Sequence, residues 1–286
     1  MGKSWLYRHP MVYELVQSPV KSDDIKTREI GGKKMSRYAV DRENGGMTIL
    51  ALNAARDEVQ KERIFCCADP TCPARVKVRS GPVVKPHFAA LETAPHRKLC
   101  YYGSKHADID PSKYDLNFDF GQLTDRILEE KEDKPKRSGK TGEGGNQRQG
   151  QKIPVHDLKT LYHLLKHYIP SAYVARRRVD DMLVDTRSVY KYREKGVNGK
   201  RIVEGELASH FYKGEELFLT VPDENGGLKV RIKFKDPVLF REVRGWFFKK
   251  NGVVRRDKVV VVLAKWSADD TGTVALIEHR DQILTV

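Results

Sequence analysis

Three observations predict an α+β chain. All four cysteines lie between Phe65 and Cys100 beside two histidines, residues 131–152 carry no hydrophobic side chain, and residues 201–286 break into strand-length apolar runs. They imply an N-terminal zinc-stabilised β-hairpin module (1–130), a flexible linker (131–152), and a helical segment leading into a C-terminal β-barrel (153–286, barrel 201–286).

With 286 residues the chain is long enough for two domains with cores of their own. The formal net charge is +14, which favours a polyanionic partner. Basic residues outnumber acidic ones by 20 to 15 over residues 1–120, 18 to 11 over 121–200 and 15 to 13 over 201–286, so the middle is the most basic part. No apolar leader and no membrane-spanning run is read. A reducing, cytoplasmic setting and no membrane partner are therefore expected, and disulfides are disfavoured.

Thiolate sulfur and neutral imidazole are the ligands that Zn²⁺ prefers, and a closed tetrahedral site takes four of them from two short segments. Cys67 and Cys72 form one half of such a clip, leaving Cys66 as a strand residue beside Phe65. His87 with either Cys100 or His96 supplies the other half, after two short strands joined at Ser80-Gly81. Upstream, Arg37 to Leu52 reads as a hairpin turning at Asn44-Gly45-Gly46. Residues 1–35 open with apolar residues of no clear period, which could pack on this module as a short helix or strand.

The run from Ser36 to Cys100 resembles the N-terminal zinc-finger-like module of the competence protein CoiA family. It shares a hairpin with a polar turn, an Ala-rich link (ALNAARDEVQKE), Cys67-Ala-Asp-Pro-Thr-Cys72, a Val-containing strand pair, and Pro86-His87-Phe88-Ala89 ahead of a last cysteine. The resemblance implies Cys67, Cys72, His87 and Cys100 as zinc ligands, with His96 as the alternate fourth. In that family a nuclease domain follows, opened by a helix carrying Glu-Ser and His. Here the stretch from Gly103 to Leu128 has neither the Glu-Ser pair nor an Asp…Glu-x-Lys metal set, and the nuclease is not carried over.

Past Cys100, a short helix ends near Glu130. His106 and Asp108 read as surface residues. The polar 131–152 stretch cannot bury enough surface to offset its ordering entropy, which makes it a linker. Pro154 to Tyr168 is a helix with Leu158, Leu161, Leu165 and Tyr168 on one face, stopped by Pro170. His163 and His167 stand one turn apart on it but lack a third ligand. Arg176, Arg177 and Arg178 are a phosphate-contact candidate ahead of a second helical or mixed segment from Val179.

The barrel is read from strands at Ile202–His210, Glu216–Val221, Leu228–Lys235, Val259–Trp266 and Thr273–Ile277, with a closing strand near Gln282–Val286. A helix-like segment, PVLFREVRGWFFK, lies between the third and fourth. That order is the one of an OB-fold barrel, with an immunoglobulin-like or SH3-like barrel as the alternatives. Strand alternation puts Leu217, Leu219, Val221, Val230, Ile232 and Phe234 inside. Phe218, Arg231, Lys233 and Lys235 then share the outer face, where an aromatic ring can stack a base while the cations track phosphates. Trp246, Phe247 and Phe248 are expected to plug the barrel, with Lys249, Lys250, Arg255 and Arg256 as a basic loop beside it.

No phosphate-cradling lysine loop, nucleophile elbow or Mg²⁺-holding carboxylate set is present in the sequence. The function expected is thus that of a non-enzymatic, structural-zinc, nucleic-acid-binding protein with single-stranded DNA favoured. An adaptor that binds protein within a DNA-processing, mobile-element or defence complex is the alternative, and a CoiA-like nuclease is the third reading.

Overall fold

A computed structural model describes residues 36–82, 84–103, 110–129, 152–269 and 272–286. The apolar start at 1–35, the His106/Asp108 pair and all but the last residue of the expected linker lie outside the described residues. The fold is mixed α+β, with a five-stranded N-terminal sheet and a closed five-stranded barrel in the C-terminal part.

The N-terminal part begins with a hairpin, β1 (Tyr38–Asp41) and β2 (Met47–Leu50), in register Tyr38↔Leu50 to Asp41↔Met47. Gly45 and Gly46 both take positive φ, as the turn signal requires. Asp41 closes the turn by accepting from the backbone N–H and the side-chain amide of Asn44. The Ala-rich link folds into two short helices, α1 (Ala51–Arg56) and α2 (Glu58–Glu62), the second capped by the Asp57 carboxylate at the N–H groups of Val59 and Gln60. Three further strands follow: β3 (Phe65–Cys66), β4 (Arg75–Arg79) and β5 (His87–Ala90). The sheet order is β2-β1-β3-β4-β5. Val76 and Val78, every second residue of β4, turn inward onto Phe65, Phe88, Ala39, Ala51 and Ala54.

Helices α3 (Phe120–Leu128) and α4 (Leu158–His167) come next, each started by an aspartate cap, Asp119 and Asp157. Leu158, Leu161, Tyr162, Leu164 and Leu165 bury a wide face of α4. Of the two readings of the segment from Val179, the mixed one holds and the helical one does not. The segment resolves into 3-10 turns at Val179–Asp181 and Val189–Tyr192 around the two-residue strand β8 (Leu183–Val184), preceded by a small hairpin of β6 (Tyr173–Val174) and β7 (Arg177–Arg178).

The barrel strands are β9 (Gly199–Lys213), β10 (Glu216–Val221), β11 (Leu228–Phe234), β12 (Val259–Asp269) and β13 (Gly272–Ile277). They close in the order β9-β10-β11-β13-β12-β9, with β11 and β13 parallel. Helix α5 (Pro237–Gly245) lies between the third and fourth strands, as the OB-like order expects. β14 (Ile283–Thr285) pairs with β12 outside the closure, and β8 with β9. β9 closes the ring because it is long: its first half pairs with β12 and its second with β10. At Gly205 a Cβ would stand 3.0 Å from Leu219 Cβ, so this position keeps the neighbouring strand close.

Leu217, Leu219, Val221, Val230, Ile232 and Phe234 are all buried in the barrel, as alternation predicts. Phe247 is fully buried with them, whereas Trp246 and Phe248 only flank that core. The unbroken apolar run of β12 has a different cause. Val260, Val262, Ala264 and Trp266 fill the barrel, while Val259, Val261 and Leu263 face a second core shared with α3, α4, Cys67, Cys72, Cys100, Tyr101 and Tyr102. Chain on both sides of residues 130–151 therefore packs into one core.

Candidate metal centre and barrel face

Cys67 leaves β3 into the turn Ala68-Asp69-Pro70-Thr71, and the Cys72 N–H returns to the Asp69 carbonyl at 3.1 Å. The Asp69 carboxylate stiffens this turn by accepting from the N–H and hydroxyl of Thr71 at 3.0 and 2.7 Å. A second turn brings His96 and Cys100 together, with the Cys100 N–H on the Arg97 carbonyl at 3.1 Å. The four ligand atoms of Cys67, Cys72, His96 and Cys100 lie within 4.8 Å of one another. Cys67 and Cys100 Sγ are 3.6 Å apart, and His96 Nδ1 is 3.5 Å from Cys72 Sγ and 3.4 Å from Cys100 Sγ. This Cys3His set could hold a metal ion.

His87, implied as a ligand by the family resemblance, is not part of the cluster. It sits in β5 next to Phe88; alternation sends Phe88 into the core and His87 to the opposite face, its Nδ1 3.0 Å from the Lys85 carbonyl. The alternate, His96, takes the position. Gly103 makes room for it, since a Cβ there would meet His96 Cβ at 2.6 Å. Cys66 stays outside the cluster, where its sulfur accepts from Arg75 Nη1 at 3.0 Å.

Backbone N–H groups of Asp69 and Arg97 point at Cys67 and Cys72 Sγ, each at 3.4 Å. These bonds favour thiolate over thiol. Hydrogen bonds from Cys100 and Cys67 hold the Cys72 thiol far below its ordinary range, while the hydrogen bond with Cys100, then that with Cys72 and burial push Cys67 up.

On the barrel, Phe218 is half-buried and stands directly opposite Arg231 in the β10–β11 register. The basic stripe around it is answered by carboxylates. Arg231 pairs with Glu216 at 3.6 Å and with Asp269, Lys233 reaches Glu216 at 4.0 Å, and Lys235 reaches Glu278 at 3.3 Å. The three consecutive arginines take three different roles: Arg176 is exposed, the Arg177 guanidinium lies 5.1 Å over the Phe120 ring, and Arg178 forks onto Asp180 at 2.9 and 3.0 Å. Lys249 and Lys250 are exposed and Arg255 is half-buried. Arg256 is committed to the barrel, donating to the carbonyls of Leu207, Ala208 and Ser209.

Sequence reasoning missed a buried polar network. Lys166 Nζ lies 2.9 Å from Asp185 and 2.7 Å from Glu204, and Arg187 Nη2 is 2.7 Å from Asp185. Arg187 also donates to the hydroxyls of Tyr38 and Tyr102, and Tyr162 donates to Glu204 at 3.0 Å. Burial raises the Asp185 carboxyl, but Arg187 and Lys166 outweigh it and hold it at about 2. Although Asp, Glu and Lys are the residue types of a metal-dependent nuclease, here both carboxylates are sealed from solvent and paired with cations. The network joins β1, the turn after Cys100, α4 and the barrel. Its members lie up to 149 residues apart, so no local spacing announces them.

No helix among the described residues is long and apolar enough to cross a membrane. No protein-family model matches the chain, and no curated protein matches it. Among solved structures, "OBody AM1L10 bound to hen egg-white lysozyme" is similar at a TM-score of 0.21 and 22% identity, covering 30% of this chain and 88% of that one.

Proposed function

We propose that the chain is a non-enzymatic, zinc-containing nucleic-acid-binding protein whose OB-like barrel takes single-stranded DNA across the outer face of β10 and β11. The observation that carries this reading is the pairing of half-exposed Phe218 with Arg231, flanked by Lys233, on a closed barrel. The ring supplies a stacking platform for a base and the cations supply phosphate contacts. Glu216 and Asp269 hold those cations in place, and an incoming phosphate would displace them. The net charge of +14 supports a polyanionic partner.

Zinc fits the cluster on ligand type and on size. A tetrahedral shell with zinc–sulfur and zinc–nitrogen bonds of about 2.3 and 2.0 Å places sulfurs about 3.8 Å apart and sulfur about 3.5 Å from nitrogen. Three of the six separations, 3.4–3.6 Å, sit near those edges, and all six lie within 4.8 Å. Four protein ligands make a closed shell, so the ion's role is structural. On this reading the N-terminal part is a CoiA-like zinc module that uses His96 as its fourth ligand. Four free cysteines fit a reducing, cytoplasmic setting.

The test is fluorescence anisotropy of a labelled oligothymidylate with the full chain across a salt series. Binding that falls steeply with salt, and a loss of about fivefold or more in the Phe218→Ala/Lys233→Glu variant, is expected. No detectable binding at low salt would sink the reading. Unchanged binding in the variant would favour the adaptor, whose specific support is that the stripe is already answered by Glu216, Asp269 and Glu278.

A further inference from the structure

We propose that the β6–β7 hairpin and the turn at Val189–Tyr192 form a second contact surface for single-stranded nucleic acid; this rests on the binding function proposed above. The first observation is backbone strain. Ala175 and Arg176, the two residues of the hairpin turn, have φ of +52° and +60° and are the only non-glycine residues with positive φ among the described residues. A two-residue turn of this hand normally takes Asn-Gly. A side chain kept there against that cost points to a use for it. Arg176 is exposed, and no hydrogen bond or ion pair holds it among the described residues.

The second observation is what the hairpin presents. Val174 and Arg177 face inward, Val174 buried and Arg177 over the Phe120 ring. Tyr173 and Arg178, paired across the hairpin, share the opposite face, and Tyr173 is 71% exposed. Arg178 and Lys191 both rest on the same Oδ2 of Asp180, which brings the two cations side by side. Tyr190, next to Lys191 in its turn, is 60% exposed.

Tyr173 thus stands across the hairpin from Arg178 and Tyr190 next to Lys191 in sequence, and Asp180 brings those two cations together. The electrostatics differ from those of the barrel stripe. There the answering carboxylates of Glu216 and Asp269 are 29% and 38% exposed and share the surface with the cations. Here the Asp180 side chain, which takes both cations, is 1% exposed, below Arg178 and Lys191 at 38% and 30%, although the half-buried Asp181 carboxylate also acts on Arg178. The Asp180 carboxylate therefore fixes the cations from beneath and leaves them partly turned to solvent, while Arg176 has no ion-pair partner among the described residues. Exposed rings beside fixed cations are the combination that stacks bases and holds phosphates of a single strand. The flat faces of the bases are open to stacking on tyrosine only where the strand is unpaired, so a duplex would use the cations alone.

The experiment titrates the full-length chain against a labelled oligothymidylate, comparing wild type, Tyr173→Ala/Tyr190→Ala, Arg176→Glu and Phe218→Ala. We expect the double tyrosine variant to lose about tenfold in affinity, from one to two lost stacking contacts. Arg176→Glu should weaken binding and reduce its salt dependence. Ala175→Gly, which relieves the strain without touching the surface, should bind as wild type does. Ultraviolet cross-linking followed by peptide mapping should place nucleotide adducts on Tyr173 or Tyr190. Wild-type affinity in both the tyrosine and arginine variants, with Phe218→Ala weakened, would overturn this surface and leave the barrel reading standing. Failure of the wild-type chain to bind would overturn both.

Discussion

Arg97 Nη1 lies 2.5 Å from Glu206 Oε1, so a residue next to a candidate metal ligand is bonded to the first strand of the barrel. The same guanidinium reaches Asp69 Oδ2 at 3.1 Å, and the Arg97 N–H points at Cys72 Sγ. Burial opposes its charge, but Asp69 and Glu206 more than compensate and raise its pKa further. Arg97→Ala should leave the buried Asp69 carboxylate short of a partner and cost about 2 kcal/mol, the scale of a hydrogen bond to a charged group. Urea unfolding followed by far-ultraviolet circular dichroism measures it; a midpoint equal to wild type would mean that the bridge contributes nothing.

Metal analysis of the purified chain should find about one zinc per protein. His96→Ala and Cys72→Ser should lose the ion and His87→Ala should keep it, because only His96 joins the three sulfurs. Loss of zinc in His87→Ala with retention in His96→Ala would restore the ligand set that the family resemblance implies.

Lys166→Met should destabilise the protein by about 3–5 kcal/mol, since removing one partner leaves buried carboxylates uncompensated. Asp185 would keep Arg187, but Glu204 would lose its only ion-pair partner among the described residues. The measurement is the unfolding midpoint of the variant at pH 7. A second variant, Lys166→Met/Glu204→Gln, should recover part of the loss by removing the stranded charge.

His167 gives a pH dependence. Burial, with a smaller contribution from Arg37, lowers its pKa from 6.5 to about 4. Between those values the unfolded chain binds a proton that the folded protein refuses, so stability falls as pH drops from about 6.5 towards about 4. Above that window the ring is neutral in both states and contributes no slope. The urea midpoint should decline less between pH 7 and 5 in His167→Gln than in wild type, and equal declines would contradict the assignment.

Much of the fold was legible because its signals are local. Asn44-Gly45-Gly46 specifies a turn whose strands then pair in one register. The two strands from Leu217 to Phe234 alternate, and all six positions that the pattern turns inward are buried. The same logic has a limit at Val179, where Asp180, Asp181 and Asp185 interrupt a helix-like composition. The carboxylates of Asp180 and Asp185 take cations and a backbone N–H, and the chain follows them into short turns. Of the metal cluster, Cys67, Cys72 and Cys100 could be read from type and spacing. The choice of His96 over His87 could not, because it depends on which face of β5 is turned to the core.

By itself the sequence determined the α+β class, the turn positions, the barrel strands and their inward faces, and the confinement of metal-ligating residue types to one short stretch. Alternation, turn chemistry and ligand chemistry act between neighbours in the chain. Only the tertiary structure decided that the N-terminal sheet and the barrel share a core, that Lys166 meets Asp185 and Glu204 inside it, and that most cations of the barrel stripe are answered by carboxylates. Those relationships join residues far apart in sequence: apolar faces gain by leaving water, and buried charges offset their lost hydration only by meeting partners that folding brings together.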